Sequence, residues 1–473
     1  MTHYDLAIIG TGSGNSLITR RWADRKVVLV DRGAFGGTCL NRGCIPTKMY
    51  VYPADLAAAS GDAARLGVDL SLEGVRWQDV RDRIFTRIDA NSADARSYRA
   101  DQPEYVTLIE DDVHLVGEKS FQTSSGEVIS ADQLVIATGS HAIRPDIPGI
   151  DLPQVHTSDT IMRLPDRPRR LLIKGGGYIA AEFAHIFGSF GTEVTITVRS
   201  GTMLRHLDET VSTVFTEQAA QQWDVRLRTA VTGLTANDDG SVTARLEGPD
   251  GQSDLEVDLV LVAVGRAPNT DGLGVEEVGF DLHPDRRLAV DEYQRVLRAG
   301  EPVEGVWSLG DVSSAHQLKH VANHEARTVA HNLLHPDELR ASDHRFVPAA
   351  VFSHPQVAAV GLTEEQALAY AETSGVPVVT AVQQYGATAY GWAMEDTTGF
   401  VKLIAEQPTG RILGAHIVGH EASLLIQPIL QAMSFDLDAY SMARGQYWIH
   451  PALTEVVENA LLKLRTNREL LHP

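Results

Sequence analysis

The first forty residues alternate between apolar runs and a glycine-rich turn. The run YDLAIIG ends at Gly10, a helix-like stretch follows from Ser13 to Trp22, and a second run, VVLVD, ends at Asp31. Short, almost wholly apolar runs predict strands that are buried on both faces, as in a parallel sheet. A helix between two such strands predicts a βαβ unit.

The same order of segments returns near the middle of the chain. An apolar run at Leu171–Lys174 leads into the glycines at 175–177, a helix-like stretch continues through Ile186, and a strand-like run covers Glu193–Arg199. The sequence therefore predicts two βαβ units of one architecture.

From Phe346 onward the pattern changes to strands and helices without a glycine-rich turn. Apolar runs at 402–405 and 413–418 predict strands, and the stretches 424–432 and Leu453–Leu464 predict helices. A chain of 473 residues suggests about three domains at roughly 150 residues each. We predict an α/β fold with two Rossmann-like dinucleotide-binding domains and a C-terminal α+β domain. The predicted domains are 1–149, completed by 273–345, then 150–272, and 346–473.

Composition and charge argue against several classes of protein. Hydrophobic residues make up 43% of the chain and charged residues 22%, as in an ordinary globular protein. The 41 basic and 62 acidic residues give a net charge of −21, which disfavours a nucleic-acid partner. No run of 18 apolar residues is present, and the chain enters its first strand without a basic, cleavable leader. We therefore expect a soluble, cytoplasmic protein with neither a nucleic-acid nor a membrane partner.

The glycine-rich turn of the first unit has the residues that a dinucleotide requires. Gly10, Gly12 and Gly14 lie between a strand and a helix, where glycine lets the backbone approach a pyrophosphate. Asp31 follows Gly10 by 21 residues, where a carboxylate accepts the ribose hydroxyls. The glycines alone could form a structural turn, but strand, glycines and acid together favour dinucleotide binding. Asn15 occupies the position of the usual third glycine, so helix and strand must pack around a side chain there.

The second unit repeats this arrangement, except at the position expected to contact the ribose of the nucleotide. Gly175 and Gly177 form the turn, and the small Ala180 takes the third position. Where an acidic residue would select NADH, the sequence has Arg199, with Arg205 six residues later. Guanidinium groups bind a phosphate through paired hydrogen bonds, so this position favours NADPH over NADH. Two solvated surface arginines are the alternative.

The only two cysteines, Cys39 and Cys44, are separated by four residues and follow the first unit directly. A structural zinc site needs about four ligands, and no other cysteine is present to complete one. Two unrelated buried thiols are another alternative. The position of the pair before a predicted helix favours a redox-active disulfide, because a helix N-terminus stabilises a thiolate.

Six motifs, taken in this order, resemble the pyridine nucleotide–disulfide oxidoreductases, the family of glutathione reductase and dihydrolipoamide dehydrogenase. They are GGTCLNRGCIPTK, ATGS, GGGYIAAEFA, AVGRAPNT, LGD and HPALTE, and they cover nearly the whole chain. The resemblance implies FAD in the first unit, NADPH in the second, a small-molecule disulfide as substrate, and a homodimer held by the C-terminal domain.

Within the family, several segments are most similar to the branch that reduces mycothione, the disulfide of the sugar-containing thiol mycothiol. These segments include GTGSGNS, YGWAMED and ARGQYWIHPALTE. Family members that act on lipoamide or glutathione disulfide are the alternative. A flavin-bearing electron shuttle with idle cysteines is an alternative of a different class.

The resemblance also implies cofactor-binding residues. Those toward FAD are Gly10, Gly12, Gly14, Asp31, Gly37, Thr38, Lys48, Thr138, Gly139, Asp311 and His320. Those toward NADPH are Gly175, Gly177, Tyr178, Ile179, Glu182, Arg199, Arg205 and Gly265. Lys48 and Glu182 match a family ion pair beside the flavin, and Tyr178 matches the aromatic residue that covers the flavin where nicotinamide docks. A helix residue packed on the sheet is the alternative for Tyr178.

The same resemblance implies the catalytic residues. Electrons pass from NADPH through FAD to a Cys39–Cys44 disulfide, with Cys44 against the flavin and Cys39 facing the substrate. His450 of the neighbouring subunit supplies a proton to the leaving thiolate, and Glu455 orients its ring. The predicted helix Leu453–Leu464 is expected at the subunit interface, and closing the core of its own chain is the alternative.

Overall fold

The N-terminal segment forms a mostly parallel sheet around its first strand. The computed structural model of the protein describes residues 2–101 and 104–467. Up to residue 142 the elements are β1 (Thr2–Ile9), β2 (Val27–Asp31), α1 (Gly37–Asn41), α2 (Cys44–Ala63), α3 (Trp77–Asp101), β3 (Val106–Glu110), β4 (Val113–Gly117), β5 (Ser120–Thr123), β6 (Val128–Ile136) and β7 (Ser140–Ala142). β1 pairs in parallel with β2 on one side and with β6 on the other. The second half of β1 is buried between two hydrophobic clusters, which explains its continuous apolar run.

The predicted helix from Ser13 to Trp22 is wrong. The chain forms two short 3₁₀ turns there, Gly14–Leu17 and Arg20–Trp22, with extended backbone between them. The buried Arg99 of α3 donates hydrogen bonds to the side-chain oxygen of Asn15 at 2.8 Å and to its backbone carbonyl at 3.2 Å. The same carbonyl accepts the N–H of Ile18 at 3.4 Å, the short-range bond of a 3₁₀ turn. The side chain in the place of the third glycine is thus accommodated by an arginine from another element.

The second unit is a five-stranded parallel sheet with a separate antiparallel meander. Its elements are β8 (Val155–Thr157), β9 (Arg170–Lys174), α4 (Tyr178–Ser189), β10 (Glu193–Val198), α5 (Glu209–Gln222), β11 (Asp224–Leu227), β12 (Ala230–Ala236), β13 (Val242–Gly248), β14 (Gly251–Val257), β15 (Leu259–Val262) and β16 (Arg266–Pro268). The strand order of the parallel sheet is β11-β10-β9-β15-β8. The glycine turn between β9 and α4 lies at the carboxyl edge of this sheet, where open parallel sheets bind ligands.

After the second unit the chain returns to the first sheet. The returning elements are β17 (Arg295–Arg298), β18 (Glu301–Ser308) and α6 (Lys319–Asn332). β18 pairs in parallel with β6, so the order of the first sheet is β17-β18-β6-β1-β2-β3. The boundaries placed at 149, 272 and 345 stay predictions.

The C-terminal segment is an antiparallel sheet covered by helices. Its elements are β19 (Ala349–Val351), β20 (Val357–Gly361), α7 (Glu364–Ser374), β21 (Val378–Gln384), α8 (Ala389–Ala393), β22 (Phe400–Glu406), β23 (Ile412–Val418), α9 (Ala422–Ser434), α10 (Ala439–Arg444) and α11 (Glu455–Lys463). The strand order is β19-β20-β23-β22-β21. The predicted fold class, two Rossmann-like units followed by an α+β segment, is confirmed.

The apolar face of α11 is used inside its own chain. Val456, Val457, Ala460 and Leu461 are buried in the cluster that also holds β22 and α10 residues. The alternative, in which this face closes the core of its own chain, is what the structure has, and the place of the helix at a subunit interface stays a prediction. A helix whose apolar stripe is already covered leaves mainly polar side chains for other contacts.

The length and the apolar character of a helix decide whether it could cross a membrane. α3 is the longest, with 25 residues, and carries many charged side chains. Across residues 2–101 and 104–467, no helix combines the length and the apolar character that crossing a membrane requires.

Candidate active site

The first glycine-rich turn leaves no room for a side chain at two of its glycines, Gly10 and Gly14. Gly10 has a φ of +116°, and a Cβ atom there would lie 2.2 Å from the carbonyl oxygen of Ala137. A Cβ atom on Gly14 would lie 2.9 Å from the side chain of Ile8. The backbone of the turn is therefore free for close approach by a pyrophosphate.

Asp31 is held at the carboxyl end of β2 by the backbone of its surroundings. Its carboxylate accepts hydrogen bonds from the N–H of Thr11 at 2.7 Å and from the N–H of Gly33 at 2.9 Å. Gly37 starts α1, and a Cβ atom there would lie 2.9 Å from the Cα of Gly12. The carboxylate and the two glycine segments thus form one cradle. Other residues expected at FAD lie on α1 (Thr38), on α2 (Lys48), after β6 (Thr138 and Gly139) and beside or on α6 (Asp311 and His320).

Asp311 is positioned by a chain of polar groups. The hydroxyl of Ser140 donates to Asp311 at 2.6 Å, and the guanidinium of Arg266 donates to that hydroxyl at 2.9 Å. His320 lies nearby in sequence, and its Nε2 is 2.8 Å from the carbonyl oxygen of Pro348. Asp311 therefore has a defined orientation, with its second oxygen left for a ligand.

The second turn has the same tight packing. A Cβ atom on Gly175, where φ is +138°, would lie 2.2 Å from the carbonyl oxygen of Ala263, and one on Gly176 would lie 2.7 Å from Val198. Gly177 precedes α4 and faces open space. Tyr178 and Ile179 begin α4, and Gly265 follows β15. The two turns thus share tight glycine packing, but only the second leads directly into an α-helix.

Three arginines lie exposed beyond β10, next to the second turn. Arg199 and Arg205 were expected there, and Arg228 joins them because its backbone N–H donates to the carbonyl of Ser200 at 3.0 Å. Within residues 2–101 and 104–467, no side-chain hydrogen bond or ion pair occupies these three guanidinium groups. Their charges are therefore free to bind an anion.

The two cysteines meet where α1 leads into α2. Both are free, and the thiol of Cys39 forms a hydrogen bond with the sulfur of Cys44, the first residue of α2. That hydrogen bond, aided by the nearby Lys48 ammonium, lowers the pKa of Cys44 to about 7 although burial opposes it. The same hydrogen bond and burial raise the pKa of Cys39. The pair therefore carries its first negative charge on Cys44.

Lys48 joins the cysteine helix to the helix of the second glycine turn. Its ammonium donates to the two carboxylate oxygens of Glu182 at 2.6 and 2.7 Å, and Glu182 is only 4% exposed. The backbone N–H of Phe352 also donates to Glu182 at 3.1 Å. Tyr178 begins the same helix and is 43% exposed. The structure thus brings together α2 and α4, whose side chains are expected on either side of the flavin.

A cleft opens beside Cys44 between α2 and α3. It measures about 540 Å³, and its lining residues are Cys44, Ile45, Lys48, Met49, Tyr52 and Arg83. A second depression of about 590 Å³ continues along α3 past Thr86 and Arg87. A small molecule can therefore reach Cys44 through a passage with apolar walls and cationic edges, whereas Cys39 is not among the lining residues.

His450 and Glu455 form a close pair at the outer surface of the C-terminal segment. Nδ1 of His450 lies 2.6 Å from Oε1 of Glu455, and the imidazole is 70% exposed. No hydrogen bond or ion pair links His450 to the cysteines of the same chain within the described residues. Because Glu455 occupies one ring nitrogen, the other faces outward and is free to exchange a proton.

Comparison with known proteins identifies the family. The model described as pyridine nucleotide-disulphide oxidoreductase matches residues 4–326, and the model of its dimerisation domain matches residues 347–461. The chain belongs to this family.

Relatives in the family match the chain along almost its whole length. Mycothione reductase from Mycobacterium tuberculosis (strain ATCC 25618 / H37Rv) is 50% identical, over 98% of this chain and 100% of the relative. Mercuric reductase from Streptomyces lividans is 33% identical, over 96% of this chain and 94% of the relative. The solved structure of the HOCl-induced flavoprotein disulfide reductase RclA from Escherichia coli has a TM-score of 0.83 and 27% identity, covering 97% of this chain and 100% of that one.

As a member of the pyridine nucleotide-disulphide oxidoreductases, the protein is an oxidoreductase that uses FAD and a pyridine nucleotide. The geometry fits both cofactors, because the backbone is open at one glycine of each turn: Gly12 has only the Cα of Gly37 within 4 Å of a Cβ atom added there, and Gly177 has nothing. Asp31 and Asp311 fit the FAD side, and Arg199 fits a phosphate on the pyridine-nucleotide side. These residue assignments stay predictions.

Sequence reasoning missed several residues around these sites. Arg83 and Arg87 lie one turn apart on α3, and their spacing could have shown that they share a face. Arg228 had no local signal, because it reaches its site only through the packing of distant strands. Ser140 ends the ATGS motif, but the motif does not indicate its bond to Asp311, 171 positions away.

Proposed function

We propose that the protein is an NADPH-dependent reductase of mycothione. The observation that carries this proposal is the Cys39–Cys44 thiol pair at the junction of α1 and α2, with Cys44 open to a cleft and Lys48 joining α2 to the helix of the second glycine turn. The 50% identity to mycothione reductase over the full length of that relative supports the choice of substrate.

The proposed chemistry uses the two cysteines in sequence. FAD, when bound, would carry electrons from the pyridine nucleotide to the Cys39–Cys44 disulfide. Cys39 then gives its thiol proton to the imidazole of His450 and attacks one sulfur of the substrate disulfide, which forms a mixed disulfide and releases one thiolate. Cys44 attacks the Cys39 sulfur, which releases the second thiolate and restores the Cys39–Cys44 disulfide. The lowered pKa of Cys44 supports its role as the thiolate of the resting reduced pair.

His450 is proposed as the acid that protonates the leaving thiolate. Its exposed ring and its contact with Glu455 suit a group that serves a cleft outside its own chain. The match to the family's dimerisation domain supports a homodimer in which each subunit's His450 faces the partner's cysteines. We place this activity in the cytoplasm, where thiols are kept reduced.

Neutralising both nucleotide arginines should weaken NADPH binding selectively. In Arg199→Gln/Arg205→Gln, each lost charge-assisted contact should raise the KM for NADPH by about tenfold, while the KM for NADH stays nearly unchanged. Steady-state kinetics with both nucleotides measures this. The variant Arg169→Gln/Arg245→Gln removes the same charge from the same unit at exposed positions away from the turn, and should leave both KM values unchanged. If the unmodified enzyme uses NADH as well as NADPH, the assignment of these arginines is wrong.

The substrate proposal is tested by comparing kcat/KM for disulfides of different classes. With NADPH as donor, kcat/KM for mycothione should exceed that for glutathione disulfide and for lipoamide by at least about a hundredfold. Comparable values for mycothione and glutathione disulfide would contradict the proposal and favour a related disulfide reductase. Absence of turnover with all three disulfides, in enzyme that still oxidises NADPH with an artificial acceptor, would instead favour an electron shuttle with idle cysteines.

A further inference from the structure

The segment from Arg199 to Asp208, which we call the arginine loop, connects β10 to α5 and is tied to the second glycine turn. The backbone N–H of Leu204 donates to the carbonyl of Gly176 at 2.7 Å, and Leu204 has a φ of +50°. Met203 beside it is completely buried. The middle of the arginine loop is therefore held against the pyrophosphate-binding turn.

The end of the arginine loop is held by a buried carboxylate. Asp208 is 1% exposed and caps α5, because its Oδ1 accepts from the N–H of Thr210 at 3.1 Å. Its Oδ2 accepts from the N–H of Glu364, the first residue of α7, at 2.9 Å. Asp208 thus belongs to the nucleotide unit but is bonded to the C-terminal segment.

A lysine from the C-terminal sheet completes this junction. Lys402 of β22 is 2% exposed, and its ammonium lies 2.7 Å from Asp208, 2.9 Å from the hydroxyl of Thr210 and 2.7 Å from Glu364. All three ammonium protons therefore have acceptors, which is the arrangement a buried charge requires. Removing the ammonium would leave Asp208 buried without its cation.

We infer that Lys402 is a positioning residue for the pyridine nucleotide. Through Asp208 it fixes the end of the arginine loop, three residues after Arg205, and so sets where the Arg205 guanidinium meets the 2′-phosphate. A residue of the C-terminal segment would thereby contribute to the choice of nucleotide without touching it. This inference rests on the proposed role of Arg199 and Arg205.

Binding of a nucleotide fragment tests the inference without turnover. In the FAD-loaded enzyme, Lys402→Met should raise the Kd for adenosine 2′,5′-bisphosphate about fivefold, and should leave the Kd for adenosine 5′-monophosphate unchanged. The KM for NADPH should rise by a similar factor while kcat at saturating NADPH is retained. Isothermal titration calorimetry and steady-state kinetics provide the two measurements.

A second variant covers the case in which Lys402→Met does not fold. Asp208→Asn/Lys402→Met removes both charges together, so neither is left buried without its partner. It should also weaken the bisphosphate selectively. Unchanged bisphosphate binding in a folded Lys402→Met enzyme, or in the double variant where the single one does not fold, would overturn the inference.

A matched control separates positioning from general destabilisation. Arg411→Met breaks another ion pair on the same sheet, between Arg411 and Glu406, far along the chain from the arginine loop. It should leave bisphosphate binding unchanged, and an equal loss in this control would count against the inference. If Arg199→Gln/Arg205→Gln also leaves bisphosphate binding intact, the proposed nucleotide site itself is wrong. If Arg199→Gln/Arg205→Gln weakens bisphosphate binding and the Lys402 variants do not, the proposed nucleotide site is supported and only the inference about Lys402 is wrong.

Discussion

Replacing Cys44 by serine should abolish both disulfide turnover and the long-wavelength thiolate–flavin absorption of the reduced enzyme. Replacing Cys39 by serine should abolish turnover while the absorption persists. The reason is the division of charge within the pair, since the pKa of Cys44 is lowered to about 7 and that of Cys39 is raised. Loss of a nucleophile should reduce turnover by roughly a thousandfold or more.

The pH dependence of that absorption follows from the same pKa. A cysteine is charged above its pKa, so the absorption of the reduced unmodified enzyme should appear as the pH rises through about 7. Absorption spectra at a series of pH values measure it, and flavin content determined on the same samples excludes loss of FAD as the cause. Unchanged mycothione turnover in either serine variant would refute the redox role of the pair.

Mixing two inactive variants, Cys39→Ser and His450→Ala, should restore activity if each site is built from two subunits. Each variant alone should lose about 10²- to 10⁴-fold or more, because one lacks the nucleophile and the other the acid. After reversible dissociation and reassociation, random pairing makes half of the dimers mixed. Each mixed dimer has one site with both defects and one site with neither, so about a quarter of the unmodified activity should return.

The control for this experiment is each variant dissociated and reassociated by itself, which should stay inactive. Subunit exchange is verified with a tag on one variant. No recovery despite proven exchange would mean that His450 serves its own chain or is not the acid. The outward-facing ring of His450 and the absence of a link to the cysteines within the described residues lead us to expect recovery.

Some expectations depended on contacts that lie close in sequence, and these agreed with the structure. β1 and β2, with Gly10 and Asp31 at their ends, are joined by the hydrogen bond from Thr11 to Asp31 across 20 positions. The start of α2 at Cys44 likewise follows from residues beside it. Where glycines and apolar runs determine a turn or a strand locally, the sequence is sufficient to predict it, because few contacts from distant residues compete.

One expectation failed and another stays undecided, both for a common reason. The stretch from Ser13 to Trp22 is helical in its local pattern, but it forms two 3₁₀ turns, and Arg99, 84 positions beyond Asn15, donates a hydrogen bond to the first of them. The apolar stripe of α11 fits an interface equally well as a core, and the sheet of its own chain covers it. Local periodicity indicates that a face is buried but does not identify what buries it.

The two glycine-turn units, the cysteine pair and, through its motifs, the family could all be predicted from the sequence. The tertiary structure alone decided that Lys48 meets Glu182 across 134 positions and that Lys402 meets Asp208 across 194. It also decided that Arg228 joins Arg199 beyond β10, and that α2 and α3 form a cleft beside Cys44. The physical reason is that short segments specify their own turns and strands, whereas ion pairs and clefts between elements depend on how whole sheets and helices pack.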